Sequence, residues 1–83
     1  MKYQILDFYA DWCRPCIAMK PMIEELEKEI QYPIKRIDID RDLTFANQYD
    51  ILSIPTIVIL KNGKEHKRFN GIVKKSDIKA VLV

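Results

Sequence analysis

The sequence predicts an α/β domain with three layers, a small mixed β-sheet covered by helices on both faces. Three observations predict it. Strand-like and helix-like segments follow one another in the order β-α-β-α-β-β-α. The one long helical segment joins the first two strands, which makes them parallel, with a right-handed crossover. The tetrapeptide "KNGK", Lys61 to Lys64, joins the last two strands as a hairpin. With 83 residues, 48% of them hydrophobic, the chain suits one domain, residues 1–83, with an economical core.

Each element has its own warrant. Tyr3 to Ala10, "YQILDFYA", is rich in aromatic and branched residues and reads as the first strand. From Arg14 to about Gln31, Met19, Met22, Ile23, Leu26 and Ile30 recur at helical spacing, while Glu24, Glu25, Glu27, Lys28 and Glu29 cover the other side. Pro21 lies inside this helix and removes one donor, so a kink is expected. Pro33 precedes a second strand, Ile34 to Ile39, and Asp42 to Tyr49 reads as a short helix. Thr56 to Leu60 is almost wholly aliphatic, as expected of a strand covered on both faces. Glu65 to Phe69 returns as the fourth strand, and Ser76 is placed to cap a last helix, Asp77 to Leu82.

Composition narrows the function. The formal net charge is +2, from 14 basic and 12 acidic side chains that are mixed along the chain. No concentrated basic face, Gly-rich phosphate loop or RNA-binding aromatic motif is present, so no nucleic-acid partner is expected. The longest aliphatic run, Ile57 to Leu60, is too short for a bilayer, and the start "MKYQILDFYADW" lacks the apolar stretch of a secretory signal. The expectation is a cytoplasmic protein that works away from membranes.

Cysteine occurs twice, at Cys13 and Cys16, in "DWCRPCIAMKP". In the cytoplasm thiols are normally kept reduced, so a lone pair points to redox chemistry or metal binding rather than to a structural staple. A structural zinc site needs four ligands, and the chain offers no second pair and one histidine, His66. Zinc would require a dimer or carboxylate ligands. The alternative fits the context, because C-x-x-C beside a βαβ pattern is the cue for a redox motif. At the end of a strand and the head of a helix, Cys13 meets amides without internal partners and a partial positive charge. These favour the thiolate, the attacking species in disulfide exchange. Cys16, one turn on and expected to be the more buried, can resolve the mixed disulfide that Cys13 forms. Pro15 is tolerated in the first turn and stiffens the loop.

Taken together, "DFYADWCRPC", the downstream "SIPT", "KNGK" and Gly71 resemble the thioredoxin family, over Tyr3 to Val83. The resemblance implies a thioredoxin-like three-layer fold with sheet order 2-1-3-4, without the N-terminal strand and helix of full-length thioredoxins. It implies a dithiol–disulfide oxidoreductase that acts on protein disulfides and is recycled by a thioredoxin reductase or by glutathione, as a monomer without metal or organic cofactor. A glutaredoxin-like, glutathione-recycled enzyme is the nearest alternative. The Trp before the pair and the missing tyrosine within it speak against that. A redox-inactive metal-binding or interaction module is a further alternative.

Site residues follow from the same resemblance. Asp7 is expected buried beneath the cysteines with a raised pKa, serving as general base for Cys16. Arg36 stands where many thioredoxins carry lysine, and a close pair is expected to hold Asp7 ionised. Ile54-Pro55 matches the family's cis-proline site, with the Ile54 backbone free to pair with an extended substrate. Trp12, Ile54, Pro55, Gly71 and Ile72 are expected to form a groove around Cys13. Arg14 replaces the usual glycine between the cysteines, and a cation there should favour the thiolate and make the disulfide more oxidising. The second strand is expected at a sheet edge guarded by Arg36, Asp38 and Asp40. His66, Lys64, Lys67 and Arg68 read as a solvated hairpin. Tyr3, Tyr9 and Tyr49 read as packing residues, and Lys74 and Lys75 as candidate attractors of acidic partners.

Overall fold

A computed structural model describes residues 2–83. Seven elements run β1 (Tyr3–Tyr9), α1 (Arg14–Glu29), β2 (Ile34–Asp38), α2 (Leu43–Gln48), β3 (Thr56–Lys61), β4 (Lys64–Asn70) and α3 (Lys75–Val81). The sheet order is β2-β1-β3-β4. β1 pairs parallel with β2 and antiparallel with β3, and β3 pairs antiparallel with β4. Architecture and order are those the sequence implies.

Alternation along the strands sorts the core into two layers. Tyr3 and Ile5 of β1, with Ile57 and Ile59 of β3, pack under Met19, Ile23 and Leu26 of α1 and Ile78 of α3. Leu6 and Phe8, with Ile37, Val58 and Leu60, pack against Ala46 of α2 on the other face. β1 and β3 are therefore covered twice, and complete burial of each large aliphatic side chain stabilises the fold by ~1.5–3 kcal/mol. Among the described residues no helix is long and apolar enough to cross a membrane.

Local chemistry sets the ends. Asp42 caps α2, its Oδ1 accepting the Phe45 amide at 3.1 Å. Asn62 and Gly63 take φ of 53° and 83° in the β3–β4 turn, a conformation that Asn-Gly supplies readily. α1 runs from Arg14 to Glu29 with Pro21 inside it. The last helix departs from expectation. It begins at Lys75 after Lys74, which makes no side-chain cap, and Ser76 lies inside the helix rather than at its cap. Lys75 and Lys79 instead bind α1. Lys75 pairs with Glu25 and with Glu29, the latter at 2.6 Å, and Lys79 pairs with Glu29 at 2.8 Å. Lys75 is thus engaged within the fold, not held out toward acidic partners. The packing of α3 on α1, rather than a local cap, fixes its start.

Candidate functional site

β1 ends at Tyr9 and α1 starts at Arg14, and the link between them is a tight turn. The Cys13 amide donates to the Ala10 carbonyl at 3.1 Å. Cys13 is thereby the N-cap of α1, with extended backbone at φ −84° and ψ 107°. Arg14 and Pro15 occupy the first helical turn and are exposed. Cys13 and Cys16 are joined as a disulfide, with Cα atoms 5.2 Å apart. The Cys16 amide donates to Cys13 Sγ at 3.3 Å. Cys13 Sγ therefore lies where a helix start aims its free N–H groups.

The exposed-over-buried arrangement of the two thiols does not hold in this oxidised state. Both cysteines are 4% exposed and pack with Ala10, Tyr9, Ile39 and Ile54. The bond draws Cys13 against Cys16, and one apolar cluster covers both. A pocket of about 210 Å³ lined by Tyr9, Ala10, Asp11, Cys16, Ile17, Lys20 and Arg36 reaches the second cysteine. A more apolar pocket of about 340 Å³ lies between Trp12, Ile39, Ile51, Leu52, Ser53 and Ile54.

The Ile54-Pro55 bond is cis, as the resemblance implied. Pro55 is buried, and its carbonyl accepts the Gly71 amide at 2.8 Å. Gly71 has φ 85°, in the left-handed region that favours glycine, so a side chain there is strained even though space is open. Trp12 and Ile72 are 66% and 68% exposed. Trp12 and Ile54 thus meet in one pocket, Ile54 touches the cysteine cluster, and Gly71 holds Pro55 from just beyond β4.

One contact of Trp12 goes beyond what the sequence suggests. Its indole Nε1 donates to Asp40 Oδ2 at 2.8 Å. Asp40, expected only to guard the edge of β2, holds the tryptophan beside the site. The signal for it is register. The Ile39 amide bonds the Tyr9 carbonyl at 2.9 Å, so the residue beyond β2 arrives beside the turn beyond β1.

Asp7 lies on the α1 face of β1, directly beside Arg36 of β2. It is 2% exposed, and its Oδ2 accepts from Arg36 Nε at 3.0 Å. Arg36 also lies over the Tyr9 ring, 4.3 Å from its centroid, so Tyr9 carries a cation besides packing. Desolvation pushes the Asp7 carboxyl above its ordinary 3.8, and the charge and hydrogen bond of Arg36 only partly oppose it. Arg36 thus forms the close pair that was expected, and burial still raises the Asp7 pKa as the resemblance implied. The arginine side chain is 30% exposed, and water screens its charge, whereas the carboxyl is almost dry. A buried carboxyl that binds its proton more tightly than usual suits proton exchange with a thiol.

The thioredoxin family model matches residues 1–83. A thioredoxin from Chlamydia trachomatis serovar D is 39% identical over 75 residues, covering 89% of this chain and 74% of its own. One from Rickettsia conorii is 37% identical over 76 residues, covering 89% and 72%. The solved structure of a Fasciola hepatica thioredoxin superposes with a TM-score of 0.90 at 33% identity, over 98% of this chain and 79% of that one.

Proposed function

The chain belongs to the thioredoxin family and is a dithiol–disulfide oxidoreductase, and on that premise we propose how its own residues divide the work. The carrying observation is the disulfide-bonded pair at the head of α1. In the dithiol state the Cys13 thiolate attacks one sulfur of a protein disulfide. That bond breaks, the leaving thiolate takes a proton, and a mixed disulfide remains on Cys13. Cys16 then gives its proton to the Asp7 carboxylate and attacks Cys13 Sγ. The second substrate thiolate leaves, and the pair is oxidised. Two electrons have passed to the substrate, and a disulfide reductase returns them.

Trp12, Arg14, Pro15, Ile54, Pro55, Gly71 and Ile72 surround the reaction as the substrate surface. The exposure of Trp12 and Ile72 supports that assignment. Family members need no prosthetic cofactor, and the two sulfurs carry the electrons. We place the enzyme in the cytoplasm as a monomeric electron carrier. A flavoprotein reductase suits it better than glutathione, because the relatives above are thioredoxins, which leaves the glutaredoxin-like alternative unfavoured.

Insulin reduction tests the division of labour. Cys13→Ser should abolish turnover. Cys16→Ser should leave a substrate joined to Cys13 through a reducible bond, visible as a mass adduct. An adduct on Cys16 in Cys13→Ser, with none in Cys16→Ser, would reverse the assigned roles.

A further inference from the structure

Arg68 belongs, by sequence, to a solvated basic hairpin with Lys64, His66 and Lys67. The structure takes it out of that group. Its side chain is only 25% exposed. Nε and Nη2 donate to the two carboxylate oxygens of Glu65 at 2.9 and 2.8 Å. The same Nη2 donates to the Tyr49 carbonyl at 2.7 Å, and Nη1 lies 3.4 Å from the Asp50 carbonyl. Tyr49 is the C-cap of α2. Asp50 comes next with φ 53°, a left-handed position where helices usually place glycine or asparagine. A planar cation with five donors is well suited to hold two carbonyls and a carboxylate together.

The segment beyond Asp50 gives the contact its meaning. Ile51 to Ser53 line the apolar pocket beside Trp12, and Ile54-Pro55 comes next. This segment is tied to β4 and its end at the far side as well. The Thr56 hydroxyl donates to the Ser53 carbonyl at 2.7 Å, with Asn70 Oδ1 3.2 Å away, and Gly71 bonds Pro55. Arg68 sits opposite Val58 of β3, on the α2 face of the sheet. The segment is thus held at both ends, by Thr56 and Gly71 at Ser53 and Pro55 and by Arg68 of β4 at Tyr49 and Asp50, and Arg68 is the near anchor.

We propose that Arg68, braced by Glu65, is a positioning residue that sets the Asp50–Pro55 segment for binding protein disulfides. This rests on the redox reading above. It assigns Arg68 no contact with the reacting sulfurs. Protein substrates need the segment in place, whereas a small disulfide needs little beyond the sulfurs.

Steady-state reduction of insulin and of hydroxyethyl disulfide by Arg68→Ala and Arg68→Lys tests it. For Arg68→Ala, KM for insulin should rise roughly tenfold with kcat nearly kept, and the loss with hydroxyethyl disulfide should be smaller. Arg68→Lys should recover part of the KM, since a lysine keeps one cation near the helix end. The backbone amides of residues 51–54 should exchange roughly tenfold faster in Arg68→Ala, with β1 unchanged. An unchanged KM for insulin, or an equal loss with both disulfides, overturns the proposal. If Arg68→Ala does not fold, Arg68→Lys and Glu65→Gln carry the same two measurements, with smaller shifts. Should the native chain reduce neither disulfide, the redox reading fails by itself. Amide exchange then decides the anchoring alone, and unchanged exchange of residues 51–54 overturns it.

Discussion

Two of the places where carboxylates pair with cations behave oppositely. At the site, Asp7 and Arg36 lie 3.0 Å apart, yet the carboxyl is pushed above 3.8. On the far side of α1, Glu29 accepts from Lys75 and Lys79, and its carboxyl is held down to about 2, below its ordinary 4.5. The cation is close in both cases. What differs is water. Glu29 keeps its hydration and gains two charge-assisted bonds, while Asp7 has lost hydration that one partly solvated arginine does not replace. A salt bridge therefore does not by itself fix the direction in which a carboxylate's pKa moves. Burial sets the sign, and the fold places the dry one beside Arg36, whose side chain lines the pocket that reaches Cys16.

The largest expected effect comes from removing the dry carboxyl. Asp7→Asn should slow insulin turnover roughly tenfold or more at neutral pH, because Cys16 loses its proton acceptor. The same change should stabilise the fold there. The sign comes from linkage. Folded Asp7 binds its proton more tightly than unfolded Asp7, so native stability falls as pH rises from 3.8 through the folded-state pKa. Asp7→Asn escapes that fall. Its gain should be full above that window and level off below 3.8 in denaturant unfolding at a series of pH values. A variant less stable than the native chain at neutral pH would show that Arg36 wins after all.

A smaller effect should result from Arg36→Met, which keeps a side chain over Tyr9 and removes the charge. Asp7 then lacks the one group that lowers its pKa. The acid limb of the insulin pH–rate profile should move to higher pH, with the rate at neutral pH changing less than about tenfold. Movement to lower pH would contradict the role of Arg36 as the group that lowers the Asp7 pKa.

The smallest effect belongs to the wet cluster. Glu29→Gln should lower Tm by only about a degree or two at neutral pH. Glu29 has a depressed pKa, so its contribution is present above 4.5 and is lost as pH falls through about 2. The Tm difference should vanish over that range and shrink in high salt. A difference that persists in strong salt would mean the cluster acts through packing of α1 against α3.

Whatever rests on neighbours along the chain was determined by the sequence alone. Spacing places Cys13 and Cys16 within one helical turn, apolar residues at helical spacing define α1, and Asn62-Gly63 closes the hairpin. Family-specific motifs supplied the sheet order and the cis bond before Pro55. Ser76 misled because a capping residue is a local preference, and the contacts of α3 with α1 outweigh it. Only the tertiary structure decided the partners of long polar side chains: Asp40 for Trp12, the end of α2 for Arg68, and α1 for Lys75. It also decided that burial outweighs Arg36 at Asp7, keeping the raised pKa that the resemblance implied. A guanidinium or an indole reaches across strands to whatever the register brings near, and desolvation depends on every element packed above a group. Neither quantity is a property of the chain until the chain has closed on itself.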